Sequence, residues 1–481
     1  MFYDVIIAGS GIAGLYSALS LDKRISVLLL AKKELPLSNT SLAQGGVAAV
    51  LDPLNDNFQL HIDDTMVAGG GTNSLQAVKV LVEEGPDNIT KLLSLGVDLD
   101  KKPDGSLSLT LEAAHSRRRI THHRDTTGFE ISSKLILAAK SRENITIIEN
   151  ATLYTLERND TGFCAGILCG KELLCAASRY FIMATGGIGQ AFKYSTNSTI
   201  STGDGIMLSK KLGANVKGLS LVQFHPTAFA GNSDQQRFLI SESVRGEGAL
   251  LLNCLNERFM PNYDKRAELA PRDVVSQCIM REVQRTGSEA FYLDITARGA
   301  DYIKDRFPGI YMACLKSGID ITTQKIPVFP CQHYLMGGID VDTYARTSVE
   351  GLYALGECSH TGVHGNNRLA SNSLLEGLVF SKRAADDIMG KTGFGSTGCN
   401  ANFSLTGSLE APKELRSEIQ NIMQESFFVL PNKQAAILHL PRINEISTLL
   451  ENSEYADSTE LLELRSLSFI VKTILMEVTK K

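Results

Sequence analysis

Three glycines near the start of this 481-residue chain restrict its fold more than any other feature. Gly9, Gly11 and Gly14 follow an apolar run, Val5 to Ala8, and open a segment, Ile12 to Leu21, whose apolar residues recur at helical spacing. Strand, tight turn and helix in that order leave bare backbone at a helix N-terminus, where a pyrophosphate can reach free amides. A second apolar run, Ile25 to Ala31, predicts a strand buried on both faces and closes a βαβ unit near residue 32. Gly9, Ser10, Gly11, Ile12, Ala13 and Gly14 are therefore read as a dinucleotide loop; the flanking elements decide against a plain turn. Ala31, Lys32 and Lys33 stand where an acid usually binds the ribose of NAD, which argues against a nicotinamide cofactor.

Two further predicted strands, Tyr180 to Ala184 and Gly351 to Leu355, also end in glycine. Ligands of open α/β sheets bind at the carboxyl ends of the strands, so three distant segments are expected to meet on one long cofactor. The fold class is then α/β: a discontinuous Rossmann-like domain over 1–218 and 335–398, with an inserted α+β capping domain over 219–334. Pro261, Pro271, Pro327 and Pro330 among polar loops suit such an insert. After a Gly/Ser/Thr stretch, Thr392 to Gly398, helical patterns at Lys413 to Val429 and Ser458 to Val478 predict a helical domain over 399–481.

A formal net charge of -5 with no block of like charge favours neither nucleic acid nor an anionic membrane as partner. No apolar stretch approaches the roughly 20 residues that span a bilayer. The strand pattern beginning at Asp4 leaves no room for a leader, so a cytoplasmic protein is expected. The cysteines lack zinc-site spacing, and no metal is expected.

Ser38, Asn39, Thr40, Ser41, Leu42, Ala43, Gln44, Gly45 and Gly46 together resemble the flavin loop of the succinate dehydrogenase, fumarate reductase and L-aspartate oxidase superfamily. Its marks recur in order at Ala184-Thr185-Gly186-Gly187, Ser201 to Gly205, Gln223 to Thr227, Arg245 to Gly248 and Glu268 to Asp273. They continue at His333-Tyr334, Gly356-Glu357 and His364 to Glu376. The resemblance implies FAD, with Lys32 and Asp204 near its adenosine half, Glu357 on ribityl or ribose hydroxyls, and Ser373 and Leu374 against the ring. Superfamily members that bond FAD covalently carry a histidine where Asn39 stands, so non-covalent FAD is implied.

Leu111 to Ile120 resembles the aspartate oxidase form of its region, placing Glu112 opposite a substrate amine. A lone glutamate is usually a solvated surface acid, and only the surrounding match lifts this one to a role. The resemblance assigns Gln223, His225, Arg272, His333 and Arg368 to the two carboxylates of a small diacid. A guanidinium offers a planar fork and a permanent charge for that task. Read alone, each arginine could be a surface ion-pair partner and each histidine a satisfied core residue. The resemblance also gives Arg272 the proton transfer, which its high pKa opposes. Arg272 as an orienting group, with amine deprotonation in solution or by His225 or Glu112, stays open.

The expected activity is oxidation of L-aspartate to iminoaspartate with oxygen or fumarate as acceptor, feeding quinolinate and NAD synthesis, with a quinolinate synthase as a partner. The alternative is a soluble fumarate reductase or succinate-oxidising flavoprotein, which needs no amine-binding acid.

Overall fold

The computed structural model describes residues 1–231, 235–391 and 403–480. The Gly/Ser/Thr stretch Thr392 to Gly398 lies outside the described residues.

Phe2–Ala8 is the central strand of a seven-stranded sheet, paired in parallel with Val27–Leu30 on one side and Glu172–Met183 on the other. Val5, Ile6, Ile7, Val27, Leu28 and Leu29 are fully buried, as expected of strands covered by helices on both faces. Leu352–Ala354 adds beside Glu172–Met183 in parallel, with Tyr353 opposite Ile182. The turns at Gly9, Thr185 and Gly356 therefore leave the same edge of the sheet. Ala151–Asn159 and Gly162–Cys169 extend the sheet as antiparallel hairpins, which the sequence reading did not contain.

Residues between the two halves of this sheet build a second one of four antiparallel strands: Val222–Phe229, Ile326–Leu335, Phe291–Asp294 and Leu250–Leu252. Helix Arg272–Thr286 packs on it over a core of its own that includes Leu251, Val275, Ile279, Phe291 and Val328.

The tail forms three helices, Glu414–Ser426, Lys433–Leu450 and Thr459–Lys480, where the sequence pattern predicted two. The middle one escaped because Pro441 lies inside it and Ile437 and Leu438 are exposed, which blurs its apolar stripe. The helices share one apolar cluster with the sheet: Ile419, Ile443 and Ile474 join Ile6, Leu28 and Phe181. Each such side chain stabilises the contact by about 1.5–3 kcal/mol.

Candidate active site

The three glycine-ended strands open into one elongated cleft. At its centre Gly9 has φ +119, and a Cβ there would overlap the carbonyl oxygen of Ala184. Gly14 likewise lies against the Gly9 carbonyl, so the helix Ile12–Ser20 starts directly behind the loop. Its N-cap, Gly11, supplies no side-chain bond; Thr40 accepts from the Ile12 N–H at 2.9 Å and ties the Ser38–Gly46 loop to the helix end.

Asn39 uses both ends of its carboxamide. Its Oδ1 accepts from the Ser198 N–H at 2.8 Å, and its Nδ2 donates to Glu357 Oε2 at 3.1 Å. Glu357 Oε1 accepts from the Leu335 N–H at 3.0 Å. Burial nevertheless pushes this carboxyl up to about 7.

At the other end lies a buried cationic group. Arg272, first residue of its helix, donates from Nε to Glu242 Oε2 and from Nη1 to Gln223 Oε1, both at 2.9 Å. Glu242 Oε1 accepts from Arg245 at 2.8 Å. Burial raises the Glu242 carboxyl, but Arg272 and Arg245 outweigh it and hold the group below its ordinary range. Arg368 donates to Ser373 at 2.9 Å and to Gln223 at 3.2 Å, and its Nε is buried with no partner. Burial and then Arg272 push Arg368 down to about 10.

The hydrogen-bond partners assign the two histidine tautomers. Arg368 has only donors, so His333 Nε2, 3.0 Å away, accepts, and Nδ1–H donates to Thr196 at 2.6 Å. His225 Nδ1 accepts from the Thr227 N–H at 3.2 Å, which leaves Nε2–H buried and unpartnered. Burial and the nearby arginines hold both rings well below the usual histidine range, so both are neutral.

Glu112 is buried on the cleft wall. Ser371, at φ 62, donates to its Oε2 at 2.6 Å, while Oε1 faces Gly45 so closely that a Cβ there would stand 2.7 Å away. Burial raises this carboxyl above its ordinary range, more than Arg272 and Arg368 lower it.

Most of the sequence-predicted site residues line the cleft: Gly9, Ser10, Gly11, Ile12, Ala13, Lys32, Asn39, Thr40, Leu42, Ala43, Gln44, Gly45, Gly46, Thr185, Gly186, Asp204, Glu357, Ser373 and Leu374, with Glu112, Arg272, His333 and Arg368. Gly14, Ser41, Gly187, Gln223 and His225 stand behind the wall. Ser41 bonds Ser132, Gly187 packs on the Glu357 side chain, and Gln223 spaces the arginines. Glu242, Thr196 and the strand start Ala151 to Leu153 were not foreseen, and Tyr334 and Ser371 stood in the family marks without a role, although all line the cleft. For Glu242 a signal existed: it precedes Arg245 by three residues, the helical spacing of an ion pair.

These residues fit FAD. The cleft runs from a bare helix N-terminus past the Ser38–Gly46 loop, and the buried Gln44 Oε1 has no protein partner. The fold and cleft thus define an FAD-binding flavoprotein whose cofactor cleft ends in a cationic pocket. The sequence pattern of the family described as "FAD binding domain" matches residues 4–374. The chain is 47% identical over 421 residues to an L-aspartate oxidase of Clostridium acetobutylicum, covering 87% of this chain and 95% of that one. With the L-aspartate oxidase of Acinetobacter baylyi it shares 44% over 400 residues, 81% of this chain and 73% of the relative. An E. coli quinol fumarate reductase chain superposes with a TM-score of 0.90 at 26% identity, covering 99% of this chain and 88% of that chain. The chain belongs to the L-aspartate oxidase family.

Proposed function

We propose that this protein oxidises L-aspartate to iminoaspartate and passes the two electrons to oxygen, forming hydrogen peroxide, or to fumarate, forming succinate. The single observation that carries the reading is Glu112, a buried carboxylate with one oxygen facing a pocket otherwise dominated by cations. The two carboxylates of a diacid need only the arginines, whereas the ammonium of an amino diacid needs an acid beside them, which Glu112 supplies.

Bound FAD supplies the ring atom, N5, that accepts a hydride from Cα. Arg272 and Arg368 pair with the two carboxylates, whose charge would be costly to bury unmatched. Glu112 Oε1 receives the ammonium and takes one of its protons, a task favoured by its raised pKa. His225 is unsuited to that task, since its Nδ1 already accepts from the backbone; its Nε2–H serves as a neutral donor. Arg272 acts by orienting and polarising, its guanidinium fixed between Glu242 and Gln223. The insert carries Leu239, Ser241, Glu242 and Arg272 on the pocket wall, from where it would shield the reacting atoms from water.

Asp204, backed by Lys32, and Glu357 would hold the sugar portions of FAD, and Ser373 and Leu374 would abut its ring. Asn39, with both amide ends engaged, leaves FAD unattached. The iminoaspartate is passed toward quinolinate and NAD synthesis, with a quinolinate synthase as the receiving partner, in the cytoplasm. Among the described residues no helix is long and apolar enough to cross a membrane.

The second reading, fumarate reduction coupled to succinate oxidation, uses the same arginines and is favoured by the likeness to the fumarate reductase fold. One experiment separates them. The purified yellow protein should release its flavin on acid precipitation and bleach under anaerobic L-aspartate. Bleaching by succinate and not by aspartate would overturn the proposal.

A further inference from the structure

The strand Val27–Leu30 ends where dinucleotide sheets place an acid for the ribose hydroxyls, and this chain has Lys32 there. An ammonium has three donors, and acceptors surround all of them. Lys32 meets Asp204 Oδ2 at 2.6 Å, Glu463 Oε1 at 2.6 Å and Thr202 Oγ1 at 2.8 Å. Lys32 thus gathers carboxylates from distant segments to the place where the fold lacks one of its own. Asp204 faces the cleft and Glu463 stands behind it.

Glu463 belongs to the last helix, Thr459–Lys480, and is gripped from its other side by Arg416 at 2.5 Å. Arg416 also holds Glu460, one turn earlier, at 3.0 Å. The side chains of Lys32, Asp204 and Glu463 are 14, 11 and 12% exposed, so the row is largely shielded from water. The same helix also reaches Thr152 on the cleft wall and Gly203, the residue before Asp204. Thr459 Oγ1 lies 3.0 Å from Thr152 Oγ1, and Ile470 sits 2.9 Å from where a Cβ on Gly203 would be.

We infer that the C-terminal helices are part of the cofactor site: Glu463, acting through Lys32, is a positioning residue that holds the Asp204 carboxylate toward the ribose of FAD. The inference rests on the FAD reading. Lys32 has no N–H left for a ligand, so its task is to fix Asp204, and Glu463 balances the pull on the ammonium from the opposite side. Without Glu463 the ammonium shifts onto Asp204, and that carboxylate loses its aim.

The test titrates apoprotein with FAD and follows flavin fluorescence. Glu463→Ala should raise the Kd for FAD by about tenfold, the size expected when a hydrogen bond to a charged group is lost. Glu463→Asp should recover part of the affinity. With FAD in large excess, anaerobic reduction by saturating L-aspartate should proceed at the parent rate. If the alanine variant does not fold, Glu463→Gln keeps the volume and should weaken FAD by about threefold. A variant that is less stable yet binds FAD as tightly as the parent overturns the inference and makes Glu463 a purely structural residue. A parent protein that binds no FAD overturns the cofactor reading itself.

Discussion

Arg272 and Arg368 meet on one atom, the Oε1 of Gln223, which accepts from the first at 2.9 Å and from the second at 3.2 Å. Gln223 is itself fixed by donating to Asn367 Oδ1 at 2.7 Å and to the Arg368 carbonyl at 2.8 Å. One neutral amide therefore sets the spacing of two buried like charges. Burial lowers Arg368 most and repulsion from Arg272 adds to it; an arriving dianion relieves the repulsion.

Gln223→Leu removes the shared acceptor and keeps the bulk. The arginines should separate, and kcat/KM for L-aspartate should fall by roughly 10- to 100-fold, with a parallel loss in succinate affinity measured by flavin difference spectra. Unchanged values for both would show that Gln223 does not space the pair.

Glu112→Gln should depress aspartate oxidation far more than fumarate reduction, because only aspartate presents an amine. The sign of the pH effect follows from burial. Glu112 is raised, so its charge is lost as pH falls through a value above the ordinary carboxylate range, and aspartate oxidation should lose activity there. Steady-state profiles of both reactions should show that acid limb for aspartate in the parent only; equal losses in the two reactions would refute the amine role.

Gly9→Ala places a Cβ against a backbone carbonyl at φ +119, where an L side chain is strained. The variant should be recovered flavin-free or unfolded. Gly11→Ala meets only the Thr40 hydroxyl, at 3.3 Å, and should keep part of its flavin. The ratio of absorbance at 450 nm to that at 280 nm, about the usual flavin band, reads the difference.

Glu357 is raised to about 7 by burial, above its unfolded value of 4.5. The folded apoprotein keeps this proton while the unfolded chain loses it, so its contribution to stability falls as pH rises from about 4.5 to 7 and stays low above. Glu357→Gln should thus raise apoprotein stability at pH 8 by about 2 kcal/mol, leave it little changed at pH 4.5, and weaken FAD binding. Urea midpoints of both proteins at the two pH values check this; a variant less stable than the parent at pH 8 would contradict it.

What was legible in the sequence is what the backbone demands. Gly9 and Gly14 must be glycine because carbonyls lie where a Cβ would go, and such positions mark a strand-turn-helix whatever surrounds them. Arg272, His333, Arg368 and Glu112 were legible only through ordered motifs, since nothing local distinguishes a buried arginine from an exposed one. For Glu242 the three-residue spacing to Arg245 hinted at an ion pair, but its place in the site comes from Arg272, 30 residues away, folding against it. The Ala151 to Leu153 wall was illegible because it lies on a hairpin recruited to the sheet edge by pairing, not by any ligand motif. The helix Lys433–Leu450 buries only Ala436, Ile443, Ile446 and Leu450, too sparse a stripe to read against its exposed leucines.

The apolar cluster common to the sheet and the last three helices has a consequence for biogenesis. A nascent chain emerges N-terminus first, so the face formed by Ile6, Leu28 and Phe181 leaves the ribosome long before Ile474 exists to cover it. Until translation ends, that face is sticky, and the growing polypeptide depends on chaperone shelter; a message truncated upstream of the final helix would yield aggregates rather than a shortened enzyme.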